Sequence, residues 1–298
     1  MMKHLNGFFV YLQYEKRYSQ LTIDAYKSDL LQLATFVQQQ GWEIDADLCK
    51  LQHRQVRNWV VHLMSKGNQP RSVSRKVSSL RTYFRYLKRK GVISSNPMTK
   101  IVVPKAGKKL PLFIEEKEVK ALIENMEKSL PVEFEGLRDY LVIKLLYISG
   151  MRRAELIAVR DSDIRFDQGI IKIMGKGGKE RLIPIDEKTS ASLSVYQNLK
   201  GELFPDSQSL ILTSKGKQAY PNLIYRIVNQ ALNGYTTLSR KSPHVMRHTF
   251  ATQLANNGAE LNAVKELLGH ASLASTQVYT HTSIDRLKDI YKKAHPKG

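Results

Sequence analysis

A histidine and an arginine lie three residues apart where a helix is predicted to begin. Ser242 is a candidate N-cap, Pro243 would take the first helical position, and His244 and Arg247 would project from one face. The free N–H groups and positive dipole of a helix N-terminus attract anions, and an arginine adds a two-pronged phosphate contact. The spacing therefore predicts a phosphate site, although by itself it is a weak signal.

Two further basic residues could reach the same phosphate. Arg152 follows Gly150, which is predicted to end one helix, and it opens the next helical pattern. Lys176 lies in a glycine-rich turn between two predicted strands, and this turn lacks the spacing and the following helix of a nucleotide-binding P-loop. From the local sequence, each of the two residues could either contact the phosphate or be a solvated surface side chain.

A possible nucleophile follows in the chain. Tyr279 lies at the end of a helical pattern, shortly after His270. A tyrosine hydroxyl can attack a backbone phosphorus of DNA and form a covalent ester. The transition state of that reaction needs charge neutralisation, which Arg152 and Arg247 would supply in place of a metal ion.

The same inventory supplies the proton transfers. Tyrosine has a pKa of about 10 and needs a base at neutral pH, a role that suits His244. Lys176 could protonate the departing 5′ hydroxyl, and His270 would donate a hydrogen bond to a non-bridging phosphate oxygen. Because the 3′-phosphotyrosyl bond retains the energy of the phosphodiester, rejoining would need neither ATP nor any other cofactor.

Composition points to the same class of partner. The 298 residues include 47 Lys plus Arg against 27 Asp plus Glu, a net charge of +20, which favours a nucleic acid or an anionic membrane surface as partner. A single cysteine, Cys49, is typical of a reducing cytoplasm. Neither a secretory signal nor an apolar run long enough to span a membrane is found, so we expect a cytoplasmic protein.

The positive charge is concentrated in residues 48–114, which contain 16 Lys and Arg and no acidic residue. Within it, Val73, Val77, Leu80, Phe84 and Leu87 recur at helical spacing and should face a core. The opposite face is basic, as expected of a surface that follows phosphates. The predicted DNA-binding residues are Arg71, Arg75, Arg85 and Arg89 on this face and Lys108 and Lys109 beyond it.

The pattern predicts a mainly α protein of two domains. Residues 1–103 read as a small helical DNA-binding bundle, 104–111 as a basic linker rich in Pro, Gly and Lys, and 112–298 as a second, catalytic domain. In the second domain, helical patterns flank three short β-branched segments that predict a three-stranded antiparallel sheet. The predicted strands are 164–166, 170–174 and 181–185.

Five motifs, in order, resemble those of the tyrosine recombinases of the phage integrase superfamily, and most closely the bacterial Xer-type recombinases. The motifs are Gly150–Leu156, Gly175–Gly177, Pro243–Phe250, Leu268–His270 and Thr276–His281. The resemblance extends over essentially the whole chain. Departures such as Met151 and Met246, where leucine is commoner in the family, remove no functional group.

The resemblance implies a fold, an activity and partners. The N-terminal bundle would be the family's SAM-like core-binding domain, which closes a clamp around duplex DNA with the catalytic domain. The protein would recombine DNA at a specific site as a tetramer, through a four-way junction, and resolve chromosome or plasmid dimers. A second Xer-type recombinase and a septal DNA translocase would be possible partners. By carry-over, the catalytic set is Arg152, Lys176, His244, Arg247, His270 and the nucleophile Tyr279.

Other functions compete with this one. Integration or excision of a mobile element is the nearest, and a type IB topoisomerase would share the chemistry without strand exchange. A helix-turn-helix regulator could use residues 262–280, but it would leave Lys176 and the His244–Arg247 pair unexplained. A metal-dependent nuclease could use His244 and His248, but the glutamate of an HExxH motif is replaced by Val245, so we expect no metal.

Overall fold

A computed structural model describes residues 4–42, 48–103, 107, 112–130, 132–175, 178, 180–260, 264 and 267–268. The chain forms two compact units, Met1–Lys109 and Leu110–Gly298. The division falls inside the predicted linker, of which Gly107 alone is described.

The first unit is the predicted helical bundle. Its helices are α1 (Leu5–Val10), α2 (Gln20–Gln39), α3 (His53–Ser65) and α4 (Pro70–Arg89), and a short π-helical turn, Tyr11–Glu15, continues α1. The apolar stripe predicted on α4, from Val73 to Leu87, is completely buried. It packs with Trp59 of α3 and with the apolar face of α2 in one core, which fixes the basic face of α4 on the outside.

The second unit is rich in helices and contains one small sheet, as predicted. Its helices are α5 (Glu116–Lys128), α6 (Phe134–Ser149), α7 (Arg153–Ala158), α8 (Glu187–Leu203), α9 (Pro221–Ala231) and α10 (Pro243–Asn256). Its strands are β1 (Ile164–Arg165), β2 (Ile170–Met174) and β3 (Glu180–Pro184).

The sheet has the order β1-β2-β3, and both pairs of strands are antiparallel. Ile171 of β2 lies opposite Ile164 on one side and Ile183 on the other, so three buried isoleucines cross the sheet in a row. The bounds predicted for β2 are confirmed, and those of β1 and β3 are wrong by one residue. Lys176 falls between β2 and β3 in the chain and lies outside the described residues, so its predicted place in a turn stays a prediction.

Helix α6 is the centre of the second unit. Its residues from Leu137 to Ser149 are buried on nearly every face, which is typical of a helix surrounded by others. Gly150 ends the helix in the left-handed conformation (φ 55°), and a Cβ there would collide with the ring of Phe250 on α10. In the described part of the chain, no helix combines the length and apolar character needed to cross a membrane.

One buried lysine joins α6 to α5 and to the start of α8. The Lys144 ammonium lies 2.8 Å from Glu127 of α5 and 3.7 Å from Asp186. Asp186 in turn caps α8 by accepting the N–H of Thr189. Helix α8 therefore begins at Glu187, directly after this cap.

Candidate active site and nucleic-acid interface

The N-terminus of α10 is built largely as the sequence predicted. Ser242 is the N-cap residue and Pro243 opens the helix. The Ser242 hydroxyl, however, is buried without a hydrogen-bond partner among the described residues and makes no capping bond. The position of the cap was therefore predicted correctly, whereas the hydrogen bond expected from it is absent from the described contacts.

Arg247 joins parts of the chain that are far apart in sequence. Its side chain is buried, its Nη1 donates to the carbonyl oxygen of Gly150 at 2.7 Å, and its Nη2 donates to that of Leu268 at 2.6 Å. Gly150 lies two positions before Arg152, and Leu268 lies two positions before His270. One guanidinium thus brings three of the predicted motifs together at the start of α10.

Arg152 is the N-cap residue of α7 and is fixed by Glu155, three residues later. Its Nη1 lies 2.6 Å from one carboxylate oxygen of Glu155, and its backbone N–H donates to the other at 2.7 Å. The Arg152 side chain remains 40% exposed, whereas Glu155 is buried at 7%. The rest of the Arg152 guanidinium is therefore accessible to an anion from solvent.

The electrostatics of this cluster are strongly positive. Burial, together with repulsion from Arg152 and Arg181, lowers the pKa of Arg247 to about 10 against the opposing effect of Glu155. Burial alone would raise the pKa of Glu155, but hydrogen bonds from Arg181 and Arg152 lower it below its ordinary value. At neutral pH the cluster thus holds three guanidinium cations and one carboxylate.

His244 lies on the exposed edge of this cluster and contacts a second histidine. Its Nε2 is 3.2 Å from Nε2 of His248, one helical turn later, so one ring donates and the other accepts. Burial, followed by repulsion from His248, Arg240 and Arg247, lowers the pKa of His244. The ring is therefore mostly neutral at pH 7 and able to accept a proton.

Three predicted site residues, Lys176, His270 and Tyr279, lie outside the described residues, as do Lys108 and Lys109. The sequence pattern also predicts helices around residues 263–268, 273–279 and 284–294, and of these only 264, 267 and 268 are described. Across the ranges that the structure describes, no group of three or more His, Cys, Asp or Glu side chains could hold a metal ion.

Sequence reasoning assigned no role to Glu155 or Arg181, the two residues that complete the cluster. Arg181 lies on β3, its side chain is 5% exposed, and its Nη2 is 2.6 Å from Glu155. The spacing between Arg152 and Glu155 is that of a capping box, which could have revealed their contact. No local sequence pattern could have predicted the contact of Arg181, because its partner Glu155 lies 26 residues away in the chain.

The first unit presents the basic face that the sequence predicted, but its arginines fall into two groups. Arg71 and Arg85 are exposed and form no ion pair within the described part of the chain. Arg89 lies 3.1 Å from Glu15 and over the ring of Tyr11, at 4.4 Å from its centroid. The segment 48–114 contains no acidic residue, but Glu15, which precedes this segment in the chain, reaches this face.

Arg75 is held more firmly than Arg89. It donates to both carboxylate oxygens of Asp29, each at 2.7 Å, and Asp29 is completely buried between α2 and α4. Ser79 and Lys76 contact the same carboxylate. Half of the Arg75 side chain is still exposed, so Asp29 sets the direction in which the guanidinium meets solvent.

Two family models match this chain. Residues 112–286 match the phage integrase family, and residues 5–91 match the phage integrase N-terminal SAM-like domain. Together they cover most of both structural units.

Similar proteins carry related names. The chain is 37% identical to tyrosine recombinase XerC of Pelobacter propionicus over 302 residues, which cover 100% of this chain and 97% of the relative. It is 36% identical to tyrosine recombinase XerC of Chlorobaculum parvum over 315 residues, which cover 98% and 94%.

Solved structures agree in fold. The crystal structure of the XerH site-specific recombinase bound to a palindromic difH substrate, a post-cleavage complex, matches with a TM-score of 0.72 at 23% identity. The match covers 96% of this chain and 82% of that one. The Tn1549 transposon integrase in complex with circular intermediate DNA matches with a TM-score of 0.68 at 18% identity and covers 96% and 99%.

Proposed function

The chain belongs to the phage integrase family of site-specific tyrosine recombinases, and from this premise we propose that it exchanges DNA strands through an ester on Tyr279. The observation that carries the proposal is the contact of Arg247 with the Gly150 and Leu268 carbonyls. It gathers residues from distant motifs around one helix N-terminus. Such a cluster suits a phosphodiester, whose transition state carries more negative charge than its ground state.

The reaction proposed here is a balanced phosphoryl transfer. The Tyr279 oxygen bonds to phosphorus while the bond from phosphorus to the 5′ oxygen breaks. His244 takes the tyrosine proton, and Lys176 gives a proton to the departing 5′ oxygen. In the second step the 5′ hydroxyl of another strand attacks the ester and frees Tyr279. No nucleotide cofactor is consumed, because one ester replaces another at each step.

Each cation has its own task in this proposal. Arg247, fixed by two carbonyls, would neutralise one non-bridging oxygen, and the exposed part of Arg152 would neutralise the other. His270 would add a hydrogen bond to the phosphate. Two guanidinium groups then do the work that a metal ion does in many nucleases.

The lowered pKa of His244 leads to a prediction for the pH dependence. Protonated His244 cannot act as the base, so cleavage should fall as the pH falls through its pKa. Because burial and neighbouring cations lower that pKa, we expect the acid limb below the ordinary histidine value of 6.5. Single-turnover cleavage at subsaturating DNA measures it, since this regime reports the free enzyme.

The control for this prediction is His248→Gln, which removes one of the repulsive charges. The acid limb of the pH profile of this variant should shift to higher pH, toward the ordinary histidine value. Burial, Arg240 and Arg247 still lower the pKa of His244 in this variant. An acid limb at or above 6.5 in the unmodified protein would contradict the assignment of His244 as the base.

The exposed arginines of α4 are proposed to follow the DNA backbone. Arg71→Gln and Arg85→Gln should each weaken binding and reduce the slope of log affinity against log salt by about one. Binding to a duplex containing the site, titrated at several salt concentrations, measures both quantities. Lys188→Gln, at an exposed position at the start of α8, is the matched control and should leave the slope unchanged. An unaltered slope in both arginine variants would remove α4 from the interface.

The biological role proposed is the resolution of chromosome or plasmid dimers in the cytoplasm. Its support is the similarity to relatives named tyrosine recombinase XerC over nearly the full length of both chains. The protein would act as a tetramer with two subunits on each duplex, either alone or with a second Xer-type recombinase, and under a septal DNA translocase. Recombinant products that join two DNA molecules would distinguish this role from that of a topoisomerase.

A covalent trapping assay tests the proposal. Genomic DNA fragments are nicked at random, so that a short strand diffuses away after cleavage and the ester accumulates. The protein is incubated with them in a chelator, and the denatured products are separated. We expect a protein–DNA adduct that is absent with Tyr279→Phe, and sequencing the adduct identifies the site. Tight DNA binding without any adduct, also after extracts containing partner proteins are added, would overturn the proposal.

A further inference from the structure

Arg181 is a buried cation at the edge of the site, and the proposed reaction does not use it. It lies on β3, the strand that follows the turn with Lys176, and its side chain is 5% exposed. Its Nη2 donates to Glu155 at 2.6 Å, whereas its Nε and Nη1 are buried without a partner among the described residues. A buried charge is costly unless it is paired, so the contact with Glu155 is the main compensation for Arg181.

Glu155 divides its two oxygens between two arginines. Oε1 accepts from Nη1 of Arg152, and Oε2 accepts from Nη2 of Arg181 and from the backbone N–H of Arg152. An arginine and a carboxylate commonly pair through two parallel hydrogen bonds. Here Arg152 has only one side-chain bond to Glu155, because Arg181 and the backbone occupy the other oxygen.

This division affects how much charge Arg152 offers to a phosphate. A carboxylate that bound Arg152 with both oxygens would cover more of its donors and neutralise it more completely. With Arg181 in place, one carboxylate faces three guanidinium groups, and repulsion from Arg152 and Arg181 reaches Arg247. The cluster therefore keeps two positive charges in excess. They balance the two negative charges of a phosphodiester that has been attacked by an oxyanion.

We propose that Arg181 is a positioning residue that acts through Glu155. It withholds one carboxylate oxygen from Arg152 and so leaves the Arg152 guanidinium free to bind the scissile phosphate. The inference rests on the proposed function and specifies how the charge of that same site is set. Through Glu155, Arg181 also ties β3 to Arg152 at the start of α7.

The test is a double-mutant cycle between Arg181 and Glu155. The rate of cleavage is measured in single turnover at saturating DNA, on the site recovered by covalent trapping, together with DNA affinity and thermal unfolding. We expect Arg181→Met to slow cleavage by about 10- to 100-fold with little change in affinity, because Glu155 then captures Arg152. Arg181→Lys, which can still hold one oxygen, should retain most of the rate.

The double variant separates this role from a structural one. Adding Glu155→Gln to Arg181→Met removes the charge that captures Arg152, and we expect it to restore cleavage at least about tenfold relative to Arg181→Met. If Arg181 only supported the fold, the second substitution would lower the rate further or leave it unchanged. Arg165→Met, at an exposed position in the same sheet, is the matched control and should react like the unmodified protein.

Two results would overturn the inference: cleavage by Arg181→Met at the unmodified rate, or a double variant no faster than Arg181→Met. If Arg181→Met fails to fold, the comparison moves to Arg181→Lys. This variant should retain most of the cleavage rate, both alone and combined with Glu155→Gln. Failure of the proposed function looks different, because the unmodified protein would then form no adduct at Tyr279.

Discussion

Replacing Arg247 by lysine is expected to reduce the rate of DNA cleavage by about 1,000-fold. Lysine keeps the charge, but it is a single point donor and lacks the planar group that reaches two carbonyls and a phosphate together. Arg247 lies between the oxygens of Gly150 and Leu268, at 2.7 and 2.6 Å. The rate of covalent adduct formation in single turnover at saturating DNA measures the effect.

The loss must be separated from a loss of folded protein. One buried carbonyl would remain unpaired in Arg247→Lys, at a cost of about 1–3 kcal/mol in the free energy of unfolding. Urea unfolding of the variant measures this cost, and DNA binding through the first unit should persist. The matched control is Arg226→Lys on α9, an exposed arginine whose side chain donates to the Tyr220 hydroxyl. Cleavage by Arg247→Lys within tenfold of the unmodified rate would exclude Arg247 from phosphate binding.

The elements that position the site could be predicted because their signals are local. Gly150 ends α6 at the predicted residue, since a left-handed terminus favours glycine. The three strands appear where β-branched residues alternate with turn residues, and the start of α10 follows from a serine and a proline side by side. Patterns of this kind depend on residues within one or two turns of each other.

The partners of the site residues could not be predicted in the same way. Arg181 was seen only as the first residue of a strand, because its contact with Glu155 depends on how the sheet packs on α7. The two carbonyls that hold Arg247 are backbone groups and leave no trace in the sequence. The motifs indicated which residues belong together, and the fold supplied the contacts between them.

The basic face of α4 shows the same limit most clearly. The segment 48–114 contains no acidic residue, so its arginines were expected to be free for phosphate. Asp29 of α2 reaches this helix from 46 residues away and binds Arg75 with both oxygens. A count of charges along the chain cannot detect a carboxylate that a neighbouring helix inserts.

Asp29→Asn is therefore expected to destabilise the first unit by about 3–5 kcal/mol. The carboxylate is buried and lies near two cations, Arg75 and Lys76. Arg75 is half exposed and can turn to solvent, whereas the Lys76 side chain is 10% exposed. Among the described residues, Lys76 would then keep the neutral amide of Gln32 as its partner. Chemical unfolding of the full chain, followed by the fluorescence of Trp59 and Trp42, measures the loss.

A second substitution tests the cause of that loss. Lys76→Met removes the stranded charge, so the double variant with Asp29→Asn should recover stability relative to Asp29→Asn alone. Asp24→Asn is the matched control, since Asp24 is a surface residue on the same helix that accepts a hydrogen bond from Gln20. It should change stability by less than about 0.5 kcal/mol. Purely additive losses in the double variant would show that Asp29 does not act by compensating Lys76. In that event the carboxylate would serve chiefly to orient Arg75, and its replacement would alter DNA affinity more than stability.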